Sequence, residues 1–413
     1  MVRADISFGS RRGDAVTSLP ARDIRGGLGT SATGFMKILA FTPLYLPVAG
    51  GIEMIVADVS AALRSRGIDT AVITDTIGQL PPFEVIADTR IHRLSLAKSL
   101  RSSNLQDTLA NIHAMSRIVA AERPDVLHVH SATQASVFYL DRIFRKQGWQ
   151  IPLIVTQHGT LEENDKTQVT RRMILEADLL TAVSDAALAS AIEFTGRTAD
   201  SRKIYNGIAT GPDFGDRKMP PRHRLLCVGR MQREKGFDLA IEALAAVRDG
   251  GVEAELVLAG YGEDQPEFEH RANALGLSQH VQFLGTIDRA RVRNLMAESS
   301  VLLAPSRTRE GFCLAAAEAA SVGTPCIVSD VGGLPETVEH DVTGLVVPKG
   351  DIDSLVRSIK RLLLDHDLWS RLSSQAYERS RVRFGFERCV DSYAAAYRDV
   401  SEGSKKGQRC GIT

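Results

Sequence analysis

PSRTREGFCLAAAEAASVG, residues Pro305–Gly323, decides how the chain is read. The apolar run before it, Ser300–Ala304, predicts a buried strand that ends at Pro305. A polar loop follows, Ser306–Gly311, and then an Ala-rich helix, Phe312–Ser321, stopped by Gly323 and Pro325. Glu310 lies on the loop and Glu318 inside the helix. At 1.5 Å of rise per residue they stand about 12 Å apart along the axis. Between them lies the helix N-terminus, whose free N–H groups and partial positive charge suit a phosphate. A carboxylate at each end with an anion site between them fits a sugar–diphosphate–ribose ligand. Glu318 would accept both hydroxyls of a ribose, and Glu310 would meet the sugar. Alone, the two glutamates read as a solvated helix charge and a loop charge. The alanines around Glu318 (Ala315, Ala316, Ala317, Ala319, Ala320) favour a partly buried carboxylate, and a buried charge needs partners.

The 413 residues are enough for two domains, each with its own core. Fifty Lys+Arg balance fifty Asp+Glu, which removes the usual case for a nucleic-acid partner. Cys227, Cys313, Cys326, Cys389 and Cys410 have neither metal nor disulfide spacing and read as reduced thiols of a cytoplasmic protein. No apolar run reaches the length of a membrane helix. Phe35–Ile52 is broken by Lys37, Pro43 and Pro47 and reads as strand and loop rather than signal peptide.

Residues 1–36 are polar, rich in Gly, Ser and Arg, and without period; they read as a disordered extension. Lys37–Pro43 then predicts a buried strand, Ile52–Arg66 a helix and Asp69–Thr74 a second strand. This strand–loop–helix–strand unit belongs to doubly wound α/β sheets, with Gly50 and Gly51 where a ligand would approach. Helices over Gln106–Glu122 and Thr133–Gln147 alternate with strands Pro124–His130, Ile151–Gly159, Ala177–Ser184 and Lys203–Ile208. His128 and His130 share one strand face, and His158 ends the next strand. A single strand-end histidine is usually structural, but two in one sheet point into one crevice. After a linker, residues 209–222, a second α/β series begins. Its strands are Arg224–Arg230, Ala254–Gly262, Val281–Gly285, Val301–Pro305 and Pro325–Asp330. The fold class is therefore α/β, with two Rossmann-like doubly wound domains, 37–208 and 223–385, then a helix 386–401 and a frayed tail 402–413.

Arg230 and Lys235 follow a strand end and could clamp a diphosphate, the first bidentately and the second as a point charge. Equally, they read as solvated loop charges. GYGEDQ (Gly260–Gln265) lacks the third glycine of a dinucleotide fingerprint, and no Walker A sequence occurs. The Asp351/Asp353 and Asp365/Asp367 pairs have the spacing of a metal-bound donor site but read as structural, the first as a helix cap. No metal cluster is evident and no cofactor is expected.

Several motifs in order make the chain recognisable. They are FTPLYLPVAGGIE (Phe41–Glu53), PDVLHVH (Pro124–His130), VTQHGT (Val155–Thr160), ADLLTAVS (Ala177–Ser184), YNGI (Tyr205–Ile208), VGRMQREKGFDLAIEAL (Val228–Leu244), GLVVPKGD (Gly344–Asp351) and the stretch quoted first. Over Lys37–Val400 the sequence resembles the retaining nucleotide-sugar glycosyltransferases of the GT-B fold, family 4. The resemblance implies an N-terminal acceptor domain facing a C-terminal nucleotide-sugar domain, with the last helix crossing back. It implies that Glu318 binds the donor ribose and Glu310 the transferred sugar. Gly311, Phe312, Cys313 and Leu314 would meet sugar and phosphate through the backbone. Arg230, Lys235 and Gly51 would hold the diphosphate. His158 matches the strand-end histidine at the donor sugar, and His130 is a weaker match. Cys313 stands where relatives often carry Gly. The expected catalytic set is His158, Glu310, Arg230 and Lys235, acting without a metal. The acceptor would be a glycan or lipid-linked saccharide of envelope or exopolysaccharide assembly. Arg142–Trp149 (RIFRKQGW) reads as a solvated helix end or, in the alternative, as a peripheral contact with an anionic membrane. Phosphorolysis or epimerisation on the same fold, or a non-catalytic binding module, are the alternative functions.

Overall fold

The described residues form fourteen short strands, most of them apolar on both faces, and these require cover on both sides, which is the mark of parallel sheets wound with helices. The computed structural model describes residues 34–47, 50–102, 104–131, 138–141, 150–161, 165–209, 217–308 and 310–410, with side chains to residue 403. The segment Arg142–Trp149, half of the expected linker and residues 1–33 lie outside the described residues. The first sheet contains β1 (Met36–Phe41), β2 (Ile68–Asp75), β3 (Phe83–Ile86), β4 (Thr89–Leu94), β5 (Val126–His130), β6 (Leu153–Gln157), β7 (Leu179–Ala182) and β8 (Ser201–Lys203). Its order is β3-β4-β2-β1-β5-β6-β7-β8. The second contains β9 (Arg224–Val228), β10 (Glu255–Ala259), β11 (Val281–Gly285), β12 (Val301–Ala304), β13 (Cys326–Ser329) and β14 (Gly344–Val347), in the order β11-β10-β9-β12-β13-β14. All pairings are parallel except β3 with β4. This is the GT-B arrangement of two Rossmann-like sheets.

Alternation along the strands builds the cores. In β9, Leu225 and Cys227 face one helical layer with Leu256 and Leu258, while Leu226 faces the other with Val257, Leu302 and Val328. In the first sheet, Leu39 and Phe41 pack with Leu127 and Val129 on one face, and Ile38 with Val126 and Ile154 on the other.

That second face is closed by the end of the chain. The helix Phe386–Cys410 lays Cys389, Val390, Tyr393, Ala394, Ala396 and Tyr397, a three-and-four stripe, against Ile38, Ile55, Val59, Leu63 and Leu179. The chain is handed across at one isolated bridge, where the Ile208 N–H donates to the Phe384 carbonyl at 2.8 Å and the Phe386 N–H to the Ile208 carbonyl at 3.1 Å.

Four expectations need correction. The short strand expected over Lys203–Ile208 lies at Ser201–Lys203, because Ile208 leaves the sheet to receive Gly385. The β3–β4 hairpin was not expected. Its two turn residues, Ala87 and Asp88, both take positive φ (47° and 63°), the geometry of a type I′ turn without the Asn-Gly that announces one. The tail expected to fray from residue 402 stays helical to Cys410, since Gly403 costs a helix only about 1 kcal/mol. The helix expected from Phe312 starts at Leu314, because Cys313 is extended (φ −95°, ψ 91°).

Tyr393 is 2 % exposed in this return interface. Tyr393→Ala should therefore destabilise the protein by roughly 3–5 kcal/mol, as for large buried aromatic rings. A clear fall in the thermal midpoint checks it; an unchanged midpoint would mean the helix does not complete the first core.

Candidate active site

In a doubly wound sheet, ligands bind at the carboxyl ends of the strands where the winding direction reverses. The second sheet reverses between β9 and β12, so the loops leaving those strands, 229–236 and 305–313, form its binding crevice. The first reverses between β1 and β5, which places Gly51, after β1, and His130, at the end of β5, at its crevice. The topology thus gathers Arg230, Lys235 and Glu310 on one side, and Gly51 and the strand-end histidines on the other.

The two C-terminal loops are stitched together. The Arg307 N–H donates to the Glu234 carbonyl at 2.7 Å, and the Arg307 guanidinium grips the Asp238 carboxylate with both terminal nitrogens. Lys235 Nζ then lies 3.0 Å from Glu310 Oε1, and the buried Ser306 hydroxyl donates to the same oxygen. Sequence reasoning gave Lys235 and Glu310 separate partners; the structure pairs them with each other. Gly333 N–H donates to the Glu310 carbonyl at 2.7 Å, so the Gly332–Gly333 loop braces the backbone of the motif from behind.

Glu318 projects from the helix Leu314–Ser321 among buried alanines, its side chain one-third exposed. Burial raises its carboxyl above the ordinary range, opposed by Arg289 and Arg293 and reinforced by Asp58. Arg289 stands between two acids, with Nη1 2.6 Å from Asp58 and Nη2 3.8 Å from Glu318. Asp58 belongs to the helix Gly51–Leu63 of the first half, so this guanidinium bridges the crevice. Arg230 is exposed at the end of β9 and acts on Glu53, a carboxyl that burial raises and Arg230 lowers.

Two glycines set how closely the halves approach. A Cβ on Gly311 would lie 2.2 Å from the carbonyl oxygen of His158, and one on Gly51 would lie 2.8 Å from Leu314 Cδ1. Any side chain at Gly311 would separate the loop that carries Glu310 from β6. Phe312 is turned away: its ring packs edge-on against Phe384 (centroids 5.3 Å apart) in a small core with Val183 and Ile208. Its side chain is structural, and its backbone alone is left for a ligand. Cys313 caps the helix without a side-chain hydrogen bond, and burial pushes its thiol up to about 12.

His128, His130 and His158 are all buried. Burial lowers them, His128 to about 3, His158 to about 4 and His130 well below its ordinary value. The three rings are therefore neutral across the physiological range. His130 Nδ1 lies 3.0 Å from His158 Nε2.

Sequence reasoning missed Glu53, Arg289 and Glu336. Glu336 accepts from the Asp185 and Ala186 N–H groups at 2.9 Å each, capping a helix of the first half from the second. Tyr205 donates to it at 3.0 Å. Nothing local signals this tie, although Glu336 closes the GGLPE run. Asp351 and Asp365 each accept a helix N–H at 2.9 Å (from Ser354 and Leu368), so both Asp-x-Asp pairs begin with a cap. Among the described residues no cluster of His, Cys, Asp and Glu could hold a metal, and no helix is long and apolar enough to cross a membrane.

Two family models divide the chain. "Glycosyltransferase Family 4" matches residues 49–211 and "Glycosyl transferases group 1" residues 216–379. N-acetyl-alpha-D-glucosaminyl L-malate synthase of Bacillus anthracis is 26% identical, covering 88% of this chain and 97% of its own. D-inositol 3-phosphate glycosyltransferase of Actinosynnema mirum is 29% identical, covering 85% and 93%. Among solved structures, Anabaena HepE in complex with UDP-glucose superposes with a TM-score of 0.72 at 22% identity, over 88% of this chain and all of that one. Both family models are of glycosyltransferases, and the two facing Rossmann-like sheets are the GT-B arrangement. The chain belongs to family 4 of these enzymes.

The raised Glu318 carboxyl has a testable sign. A group whose folded pKa lies above its unfolded value adds stability below the unfolded pKa and loses it as pH rises through the folded one. Ionised Glu318 therefore costs the ligand-free protein stability at neutral pH. Glu318→Gln should match wild type near pH 4 and melt higher than wild type at pH 7. A gap that does not widen with pH would contradict this.

Proposed function

We propose that this glycosyltransferase takes its sugar from a nucleoside-diphosphate donor and transfers it to an acceptor hydroxyl with retention of configuration. The observation that carries the reading is the pairing of Lys235 with Glu310 at the mouth of the Leu314–Ser321 helix, held against His158 by Gly311. Glu318 takes the ribose diol, releasing Arg289. Arg230, Lys235, the Gly51 amide and the amides of Gly311, Phe312, Cys313 and Leu314 receive the diphosphate. As the glycosidic bond to the diphosphate breaks, charge builds on the leaving phosphate. Fixed cations and N–H dipoles stabilise it without reorganising, and this is the largest catalytic contribution.

Glu310 loses Lys235 to the incoming phosphate and turns its carboxylate to a sugar hydroxyl. His158, neutral, meets another hydroxyl near the anomeric carbon. The acceptor approaches from the first half, on the face the diphosphate leaves, and the departing phosphate takes its proton; that front-side course gives retention. No residue need supply a nucleophile from the opposite face, and closure of the crevice favours transfer over hydrolysis. HepE holds UDP-glucose, which makes a uridine donor the first choice. A polyhydroxylated or glycan acceptor in cell-envelope or exopolysaccharide assembly fits the same family.

Lys235→Ala should lower kcat by about 10²–10³, the range for removing one charge-stabilising group. The fold should survive, because Glu310 keeps the Ser306 hydroxyl. Release of nucleoside diphosphate from UDP-, GDP- and ADP-sugars measures it, with proton NMR of the product reporting the anomer. Unchanged turnover would remove Lys235 from the site, and an inverted anomer would remove front-side attack.

A further inference from the structure

The three buried histidines form an ordered stack rather than three separate side chains. His128 lies between the Tyr397 hydroxyl (2.7 Å from Nδ1) and the Thr156 hydroxyl (2.6 Å from Nε2), and Thr156 is bonded in turn to Thr181. Both ring nitrogens of His128 are thereby occupied, and its ring is fixed. His130 lies against it with ring centroids 3.8 Å apart, and Tyr393 flanks it at 6.4 Å. His130 Nδ1 reaches the Nε2 of His158 at 3.0 Å. His158 Nδ1 is buried and has no hydrogen-bond partner among the described residues. A buried polar atom left bare costs about 1–3 kcal/mol, so an orphan in a native site calls for a ligand.

We propose that His130 is the positioning residue of His158: its hydrogen bond at Nε2 fixes the ring and its tautomer, leaving Nδ1 as the one atom free for a hydroxyl of the donor sugar. This rests on the reading that places His158 at that sugar. The chemistry follows from counting protons. A neutral imidazole carries one N–H, so a bond between Nδ1 of one ring and Nε2 of the other uses one proton and sets the state of both. If His130 donates, His158 presents Nδ1–H to a sugar oxygen; if His158 donates, it presents a bare Nδ1 that accepts from a sugar hydroxyl. In either direction the proton on the reacting ring is decided by His130. Burial keeps the pair neutral. On the final helix Tyr393 faces His130 and Tyr397 holds His128, and on β6 the Thr156 hydroxyl holds the other nitrogen of His128. The helix that closes the first core thus also anchors, through Tyr397 and His128, the ring that orients His158.

The test uses the full-length, ligand-free protein labelled with ¹⁵N-histidine, together with His130→Asn and His130→Leu. Asn and Leu have the same shape and lose the same ring stack, but Asn keeps a polar atom near the position of Nδ1. One protonated and one bare nitrogen, well separated in shift, are expected for His158 in wild type and in the Asn variant. In the Leu variant the two signals should move toward the average of both tautomers. Averaged signals in wild type, or signals unchanged in His130→Leu, would overturn the proposal. In turnover of the nucleotide sugar, His130→Leu should lose about 10–100-fold in kcat, as for a displaced reacting group, with KM little changed. His130→Asn should recover most of that loss. Equal losses in the two variants would make His130 a packing residue and overturn the proposal. Full turnover in His158→Ala would instead overturn the reading beneath it, an outcome the imidazole spectra of the wild type distinguish from failure of the pairing.

Discussion

The rest of this structure depends on one place where backbone meets backbone, Gly311 against the carbonyl of His158. No side chain fits between them. The loop that carries Glu310 therefore stands directly on the end of β6, and a residue from each half reaches the same point. Two further ties hold the halves in this relation. Glu336 caps the helix Asp185–Thr195 from across the crevice, and Arg289 joins Asp58 to Glu318. The final helix then returns to complete the core of the first sheet. The crevice is thus framed by polar ties together with a small apolar core, in which Phe312 meets Val183 and Ile208, while the return helix covers the first sheet with a continuous apolar stripe.

Charge in the crevice is balanced pair by pair. Lys235 faces Glu310, Arg289 faces Glu318, and Arg230 opposes the burial of Glu53. A partly buried carboxylate without such a partner would be strongly disfavoured, so each acid of the proposed donor site has a cation beside it, Lys235 for Glu310 and, shared with Asp58, Arg289 for Glu318. A nucleoside-diphosphate sugar would exchange these partners rather than add to them. Its phosphates would take the cations, and its hydroxyls the freed carboxylates. Binding energy is then spent on rearranging existing pairs, which limits ground-state affinity and reserves stabilisation for the charge that develops on the leaving phosphate.

Much of this was legible in the sequence, and for identifiable reasons. The parallel sheets were legible because runs such as LLCV and VLHV are apolar on both faces. Glu310, Arg230 and Lys235 stood out as candidates because they sit at strand ends and before helix starts, where α/β ligands bind, and Glu318 because it lies among alanines. The β3–β4 hairpin was hidden by Ala87 and Asp88, which take a conformation usually given to Asn and Gly. Glu336, Arg289 and the pairing of His130 with His158 were hidden for another reason. Each joins residues far apart in the chain, and no local period or spacing reports a partner on another element. The helix start was placed two residues early, at Phe312, because nothing in the sequence announces that Cys313 is extended.

The most direct measurement is the thermal midpoint with UDP, GDP and ADP, each with and without magnesium, in wild type and Glu318→Ala. A nucleotide at a hundred times its dissociation constant adds about 2.7 kcal/mol of stability. The proposed donor site predicts that one of the three, UDP first, raises the midpoint without magnesium and that Glu318→Ala abolishes the rise. A rise that survives in Glu318→Ala, or none with any nucleotide, would contradict it.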